Sequence, residues 1–342
     1  MTTPPFVATI AHNDPTKVRY QNMTTTIPTH IRSIDPAHDM PAILDLIELG
    51  FREELDPQGW KMLDQMRRIY RPNPLANVVY GRVAGTAGYV CEVEGRIIGN
   101  LSLRSALPHT SRGRLIGNVV VHPEFRGRGI GHALMERALE AARAMHARWI
   151  GLEVRADNVV ACRLYEHLGF RVVGITEHLV RPQDLAWPTY RRPNGSWERS
   201  RSRHSTQWKQ LANLMHSADQ RRVLEIRGGM YEFGGFERWV NLTLSGQWER
   251  AWLHYRDGEA PDLATHIQVD RHYRFHIWDL LTNPEAGQAG AEEIVARTLS
   301  TTTRFPAWPV VTLVPPVPSL IAALRNIGFG THRTLQQMLL EL

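Results

Sequence analysis

Residues 119–131 read Val119-Val120-Val121-His122-Pro123-Glu124-Phe125-Arg126-Gly127-Arg128-Gly129-Ile130-Gly131, a β-branched run entering a glycine-rich turn that opens a helical pattern. Glycines let a backbone come close to a ligand, and the first N–H groups of a helix lack intrahelical acceptors. Together with the helix dipole, Arg126 and Arg128 make this turn suited to an anion such as a pyrophosphate. Two familiar phosphate loops fail on spacing. The chain continues Gly131-His132-Ala133 where a P-loop needs Lys and Ser/Thr, and Gly127, Gly129 and Gly131 give G-x-G-x-G where a dinucleotide fingerprint needs G-x-G-x-x-G.

The surrounding pattern predicts a mixed α/β fold. Ile43, Leu44, Ile47 and Phe51 recur at helical spacing, so a helix is expected to begin near Met40, and a second to cover residues 57–70 before Pro72 and Pro74. Strand signals follow at residues 88–93, 97–104 and 114–121, with Glu94-Gly95-Arg96 as a tight turn. Ile130, Leu134, Ala138, Ala141 and Met145 line one face of a helix predicted over residues 131–148. A strand at 149–155, a short helix at 159–168 ended by Gly169, and a strand at 170–175 complete the unit.

The loop and its downstream companions together resemble the GNAT superfamily of N-acetyltransferases, whose acetyl-coenzyme A loop reads Arg/Gln-x-x-Gly-x-Gly/Ala. Arg126, Gly129 and Gly131 match it, followed by Leu152-Glu153-Val154-Arg155, Asn158, and Leu164-Tyr165-Glu166-His167-Leu168-Gly169-Phe170. The resemblance covers about residues 31–175. It is most similar to bacterial protein N-terminal acetyltransferases that modify a ribosomal protein, a spacing many small-molecule acetyltransferases share. It implies a mixed, mostly antiparallel sheet flanked by helices, and acetyl transfer to a primary amine by direct attack in a ternary complex. Acetyl-coenzyme A is the implied co-substrate, held by the backbone of Val119, Val120 and Val121, the loop Arg126, Gly127, Arg128, Gly129, Ile130 and Gly131, and Asn158.

An ammonium must lose a proton before it attacks a thioester, and a departing thiolate must gain one. Glu153 matches the family's general base, and it projects from the strand face opposite Leu152 and Val154; the alternative is a strand carboxylate paired with Arg155. Tyr165 matches the usual general acid, the alternative being a core tyrosine in the stripe Ala161, Leu164, Tyr165, Leu168. Asn158 also suits a helix cap.

The second half of the chain repeats the order of elements. Strand patterns at 252–256, 265–269 and 272–280 precede Asn283-Pro284-Glu285-Ala286-Gly287, which parallels the His122-Pro123-Glu124 turn. A helix through Ile294 and Leu299, a strand at 310–314 and a helix ending in Ile327-Gly328-Phe329 follow. Such spacing indicates a tandem duplication. Pairing the Pro-Glu dipeptides puts Gly287 at Arg126 and Glu292 at Gly131, while pairing the Gly-Phe endings puts Leu324 at Tyr165. The expected organisation is an N-terminal extension at 1–30, a catalytic domain at 31–180, an Arg-rich linker at 181–205 and a degenerate copy at 206–342. The second copy is open to three roles: completing the acceptor groove, adding a sheet-edge strand to the first, or mediating dimerisation.

Composition removes other classes. With 43% hydrophobic residues and only Cys91 and Cys162, the 342-residue chain is neither a disordered tail nor a disulfide scaffold. No apolar run reaches the roughly 18 residues of a membrane span, and Lys17 and Arg19 precede no apolar stretch, so a cytoplasmic protein is expected. The cysteines form no Cys/His cluster, and His272 and His276 fall in a predicted strand, so no metal is expected. Forty basic against 34 acidic residues is a mild surplus, concentrated at Arg191, Arg192, Arg199, Arg201 and Arg203. A solvated linker is favoured there over RNA or ribosome contact through residues 191–203. The alternative to an enzyme is a non-catalytic acyl-coenzyme A-binding regulatory or partner-binding protein. The acceptor stays open among a protein N-terminus, a lysine, a polyamine, an amino sugar and an antibiotic, with the loops at 56–77 and 106–113 expected to shape its pocket.

Overall fold

The computed structural model describes residues 30–70, 87–107, 112–226, 231, 233, 240, 242, 244–256 and 260–342. The expected N-terminal extension therefore lies outside the described residues except for His30, as do residues 71–77 and 108–111 of the two pocket loops.

The first half contains β1 (His30–Ser33), α1 (Pro36–Phe51), α2 (Pro57–Ile69), β2 (Ala87–Val93), β3 (Arg96–Ser105), β4 (Gly113–Val121), α3 (Ile130–Ala144), β5 (Trp149–Arg155), α4 (Val159–His167) and β6 (Arg171–Arg181). α1 starts ahead of Met40 because Asp35 caps it through the Ala37 amide and Pro36 fits a first turn that needs no donor. Asp56 caps α2 in the same way through Gly59 N, at 2.6 Å. α3 ends at Ala144, short of the expected 148, where His146 turns to a positive φ of 52°. Its face of Ile130, Leu134, Met135, Ala138 and Leu139 packs on Tyr89, Ile98, Leu101 and Leu103 of the sheet. The opposite sheet face receives α1, through Met40, Ile43, Leu44 and Ile47.

The second half contains β7 (Ser196–Arg199), α5 (Ser205–Met215), α6 (Ala218–Val223), β8 (Gln247–Tyr255), β9 (Leu263–Asp270), β10 (Phe275–Thr282), α7 (Gly287–Thr302), β11 (Val310–Val314), α8 (Pro318–Asn326) and β12 (Gly330–Glu341). The segment expected as a solvated linker carries β7, which pairs with β8, and a 3-10 turn at Ser202–His204. Two of its arginines are anchored, Arg191 to Glu293 and Arg203 to Glu198. His272 lies in the turn before β10, correcting its placement in a strand.

All the strands join one mixed, mostly antiparallel sheet of order β1-β2-β3-β4-β5-β12-β6-β11-β10-β9-β8-β7. Outward from the β12–β6 pair the two sides repeat one another, so the halves are related by a pseudo-twofold axis and have exchanged their last strands. β12 is antiparallel to β5 of the first half, with Gln337 opposite Glu153, and β6 is antiparallel to β11, with His178 opposite Leu313. Of the roles left open for the second copy, a strand contribution is realised, with β12 lying in the interior of the sheet and not at its edge. Gln337, Met338 and Leu339 are fully buried there. A second tie links α2 to the exchanged region, where buried Asp56 and His178 approach to 2.9 Å. Among the described residues, no helix is long and apolar enough to cross a membrane.

Candidate active site

β4 and β5 run parallel and paired only over Gly113–Ile116 against Trp149–Leu152. Beyond Ile116 the two strands separate. A bulge in β4 accompanies the separation, with the register to β3 shifting between Asn100 and Ser102 and Asn118 at φ 52°. Asn100 holds the bulge by donating from Nδ2 to the Asn118 carbonyl at 3.0 Å. The backbone of Val120 and Val121 pairs with β3 on one edge, Val119 lies within the bulge and lines the cleft, and the other edge of all three has no strand partner in β5.

Two cavities meet at this opening and share Ile47, Met62, Ile116, Gly117, Asn118, Leu152 and Glu153 as walls. One, of about 290 Å³, reaches Asn158, Ala161 and Tyr165 of the first half and Arg333 and Leu335 of β12. The other, of about 470 Å³, extends on the α1 side past Met40, Ile43, Met66 and Arg104.

The glycine turn stands where β4 leaves the sheet. Gly127 and Gly129 adopt φ of 75° and 77°, a region closed to most side chains, and Gly129 caps α3. A Cβ at either position would enter open space rather than strike protein, so the glycines line a cradle that a ligand can enter. Arg126 Nε donates to the Val121 carbonyl at 3.2 Å, and Arg128 Nη2 to the Glu124 carbonyl at 3.1 Å. Both guanidiniums are exposed and keep further N–H groups for an anion. Left-handed glycines, an open cradle, a helix N-terminus and two arginines fit the diphosphate of acetyl-coenzyme A. Ile130 is buried beneath the turn.

Glu153 is exposed to the cleft, its carboxylate on the cavity wall between flanking protein groups. Burial raises its pKa above the ordinary carboxylate value, and Gln337 and the nearby Arg333 charge partly oppose that rise. Gln337 Nε2 donates to Glu153 Oε1 at 2.8 Å. Arg155, the alternative partner considered for Glu153, pairs instead with Asp157 at 2.6 Å and Glu54 at 3.1 Å, which corrects that reading. Tyr165 is buried on the other wall, its pKa pushed up to about 12 by burial. It packs against Phe170 in the core, yet among the described residues its hydroxyl has no hydrogen-bond partner. Asn158 caps α4, accepting from Ala161 N at 3.1 Å, while also lining the cleft. The fold thus brings Glu153, Tyr165, Asn158 and the Val119 backbone to one cleft. Arg333, Leu335 and Gln337 join them from β12, and nothing local in the sequence pointed there.

The second half keeps the parting of its parallel strands, β10 and β11 pairing only over His276–Trp278 against Val310–Thr312, but lacks the bulge, the anion loop and the acid–base pair. β10 pairs with β9 over its whole length without a register shift. Residues 283–286 join β10 to α7, whereas residues 122–129 join β4 to α3, so the anion loop is shortened away. That corrects the pairing of Glu292 with Gly131: Glu292 lies a turn inside α7, bonded by Gln288 at 2.9 Å. Gly290 packs closely against Ala286, where an added Cβ would clash. The strand register places Leu313 at the position of Glu153, and Leu324 is buried in the α8 core. Among the described residues, no group of three or more His, Cys, Asp and Glu could hold a metal ion.

The Acetyltransferase (GNAT) family profile matches residues 51–170. An N-alpha-acetyltransferase of Sulfolobus acidocaldarius is 31% identical over a match covering 34% of this chain and 78% of that protein. The streptothricin acetyltransferase of Escherichia coli is 32% identical, over 39% of this chain and 75% of its own. N-acetylaspartate synthetase of Xenopus tropicalis is 34% identical over 30% of this chain, and the match spans 37% of that protein. Over nearly the full length, the fold is similar to a tandem GNAT protein from the clavulanic acid biosynthesis pathway, with a TM-score of 0.57 at 18% identity, covering 92% and 98% of the two chains. The splayed strands, the glycine cradle and these matches agree, and the chain belongs to the GNAT acetyltransferase family.

Proposed function

We propose that the chain transfers an acetyl group from acetyl-coenzyme A to a primary amine, with the chemistry in residues 31–180 and a non-catalytic, structurally required copy in residues 206–342. The observation that carries this reading is the cleft itself. A carboxylate of raised pKa and an unpartnered phenol stand on the walls where β4 and β5 separate, beside the cradle.

Acetyl-coenzyme A, when bound, supplies a thioester carbonyl as electrophile. The N–H groups and guanidiniums of residues 126–131 would hold its diphosphate, and the free edge of Val119, Val120 and Val121 its amide-bearing arm, with Asn158 beside them. Glu153 takes the proton from the incoming ammonium, directly or through water, and its raised pKa brings it closer to that task. Tyr165 stays protonated at neutral pH and gives a proton to the departing sulfur. The acceptor side is lined by Met40, Ile43, Met62 and Met66, and Glu153 is its one carboxylate among the described residues. That lining suits an amine carried on an apolar body better than a polyamine, whose further charges would find no partner.

Thiol release from acetyl-coenzyme A, followed across a panel of primary amines with wild type and Glu153→Gln, tests the reading. Wild type should turn over at least one apolar amine, and Glu153→Gln should be slower by about 100-fold or more. Saturable cofactor binding with no thiol release from any amine would instead establish a non-catalytic acyl-coenzyme A-binding protein.

A further inference from the structure

On the outer part of the second half, alternate residues of β8 point toward α7. Trp248, Arg250 and Trp252 share that face, β7 sets Arg199 opposite Trp252, and α7 lays Arg297 across Trp252 with its guanidinium carbon 3.5 Å from the ring centre. Arg250 stacks over Trp248 at 5.3 Å, and Arg304 follows the end of α7.

Like charges gathered this way need counter-charges, and here the neighbouring carboxylates are taken. Glu293 is shared by Arg191 and the Trp197 indole, and Glu198 binds Arg203. Among the described residues, no carboxylate lies within ion-pair distance of Arg199, Arg250, Arg297 or Arg304. The Nε atoms of Arg250 and Arg297 and the indole N–H of Trp252 are buried without any hydrogen-bond partner. Burial first, and then repulsion by Arg199 and Arg304, lowers the pKa of Arg250; burial and then Arg304 and Arg250 lower that of Arg297, and the Glu293 charge, already shared by Arg191 and Trp197, only partly opposes this. Unpaired buried donors are costly, so such a cluster is stabilised by an acceptor it does not find in its own chain.

We propose that this face, built from Arg250 and Arg297 with Trp252 and flanked by Arg199 and Arg304, is a binding site for a multiply charged phosphate group. Guanidinium forks match phosphate oxygens in geometry and charge, and the two exposed arginines supply the further positive charge that a diphosphate needs. The site lies on a different element set from the glycine cradle and does not depend on acetyl transfer. It also relocates the basic character seen in the sequence. Of the Arg-rich segment at 191–203, only Arg199 belongs to it, and its centre is on β8 and α7.

The test is a calorimetric titration of the full chain with pyrophosphate, on a Gly129→Glu background that fills the first-half cradle. Saturable binding is expected, weakened about 10-fold or more by Arg250→Met and by Arg297→Met, consistent with the loss of charge-assisted bonds. Thermal melts establish that each variant is folded. Should either fail to fold, the exposed changes Arg199→Ser and Arg304→Ser must each weaken binding about threefold. A parallel titration with an oligouridylate should show no tighter binding than pyrophosphate. Absence of saturation at about 10 mM pyrophosphate, binding indifferent to all the arginines, or RNA binding at least about 10-fold tighter through the same residues would each overturn the proposal.

Discussion

Gln337 Nε2 stands 2.8 Å from Glu153 Oε1 and 2.9 Å from Thr176 Oγ1, so a side chain from the last strand fixes the carboxylate on β5. Gln337 is itself held, since its Oε1 accepts from Gln220 Nε2 at 3.0 Å. The second half thus reaches the proposed chemistry through a buried amide. Gln337→Leu removes a donor that favours the ionised carboxylate, so the pKa of Glu153 should rise further. Because the base must be ionised to work, kcat/KM falls as pH drops through that pKa. The acidic limb of the pH profile should therefore move to higher pH in Gln337→Leu, with the Kd for acetyl-coenzyme A unchanged. A variant that lost activity equally at every pH would mark Gln337 as merely structural.

Tyr165 combines a buried ring with a hydroxyl that has no protein partner. Removing the oxygen leaves the packing against Phe170 intact and orphans no group. Tyr165→Phe should keep the wild-type melting temperature and acetyl-coenzyme A affinity while kcat falls by about 100-fold or more. Steady-state kinetics beside a thermal melt separate the two effects, and unchanged kcat would remove Tyr165 from the mechanism.

Gly129 and Gly287 make a matched pair. Each has a positive φ ahead of or at the start of a helix, 77° and 57°, and neither has an atom within 4 Å of an added Cβ. Alanine should cost about 1–2 kcal/mol of backbone strain at Gly129, and about 1–3 kcal/mol at Gly287, whose ψ of −153° lies outside the left-handed helical region. Only Gly129→Ala should also weaken acetyl-coenzyme A, because the loop of residues 122–129 with its two arginines stands there, whereas residues 283–286 ahead of Gly287 are too short to form it. Melting curves with and without ligand read both quantities. Equal ligand shifts in the two variants would place the cofactor elsewhere.

Local signals make much of the first half legible in the sequence. The β-branched run into Gly127 and Gly129, the apolar stripe of α3 and the Glu153 to Tyr165 spacing are all short-range patterns, and of their residues Val119, Glu153, Asn158 and Tyr165 line one cleft. Pairing between distant strands is set by the whole sheet and leaves no local trace. Gln337, Arg333 and the burial of β12 were accordingly invisible. The same holds for the arginine face, whose members come from β7, β8 and α7. The misplaced Glu292 has another cause: the near-constant spacing between the copies breaks at the loop before the helix, where the lengths differ.

The exchanged strands also decide whether the halves can be separated. A chain ending at Arg181 would keep β1 to β6 but lose β12, leaving β5 and β6 without the neighbour that pairs with both. Met338 and Leu339 would be missing from the core, and the edges of β5 and β6 would be open to intermolecular pairing. Residues 30–181 expressed alone should therefore be aggregated or should lack a cooperative thermal transition. Adding residues 196–342 as a separate chain should restore both a single transition and acetyl-coenzyme A binding. A soluble, cooperatively folding fragment 30–181 with full ligand affinity would show that β12 is dispensable, and with it the contribution assigned to Gln337.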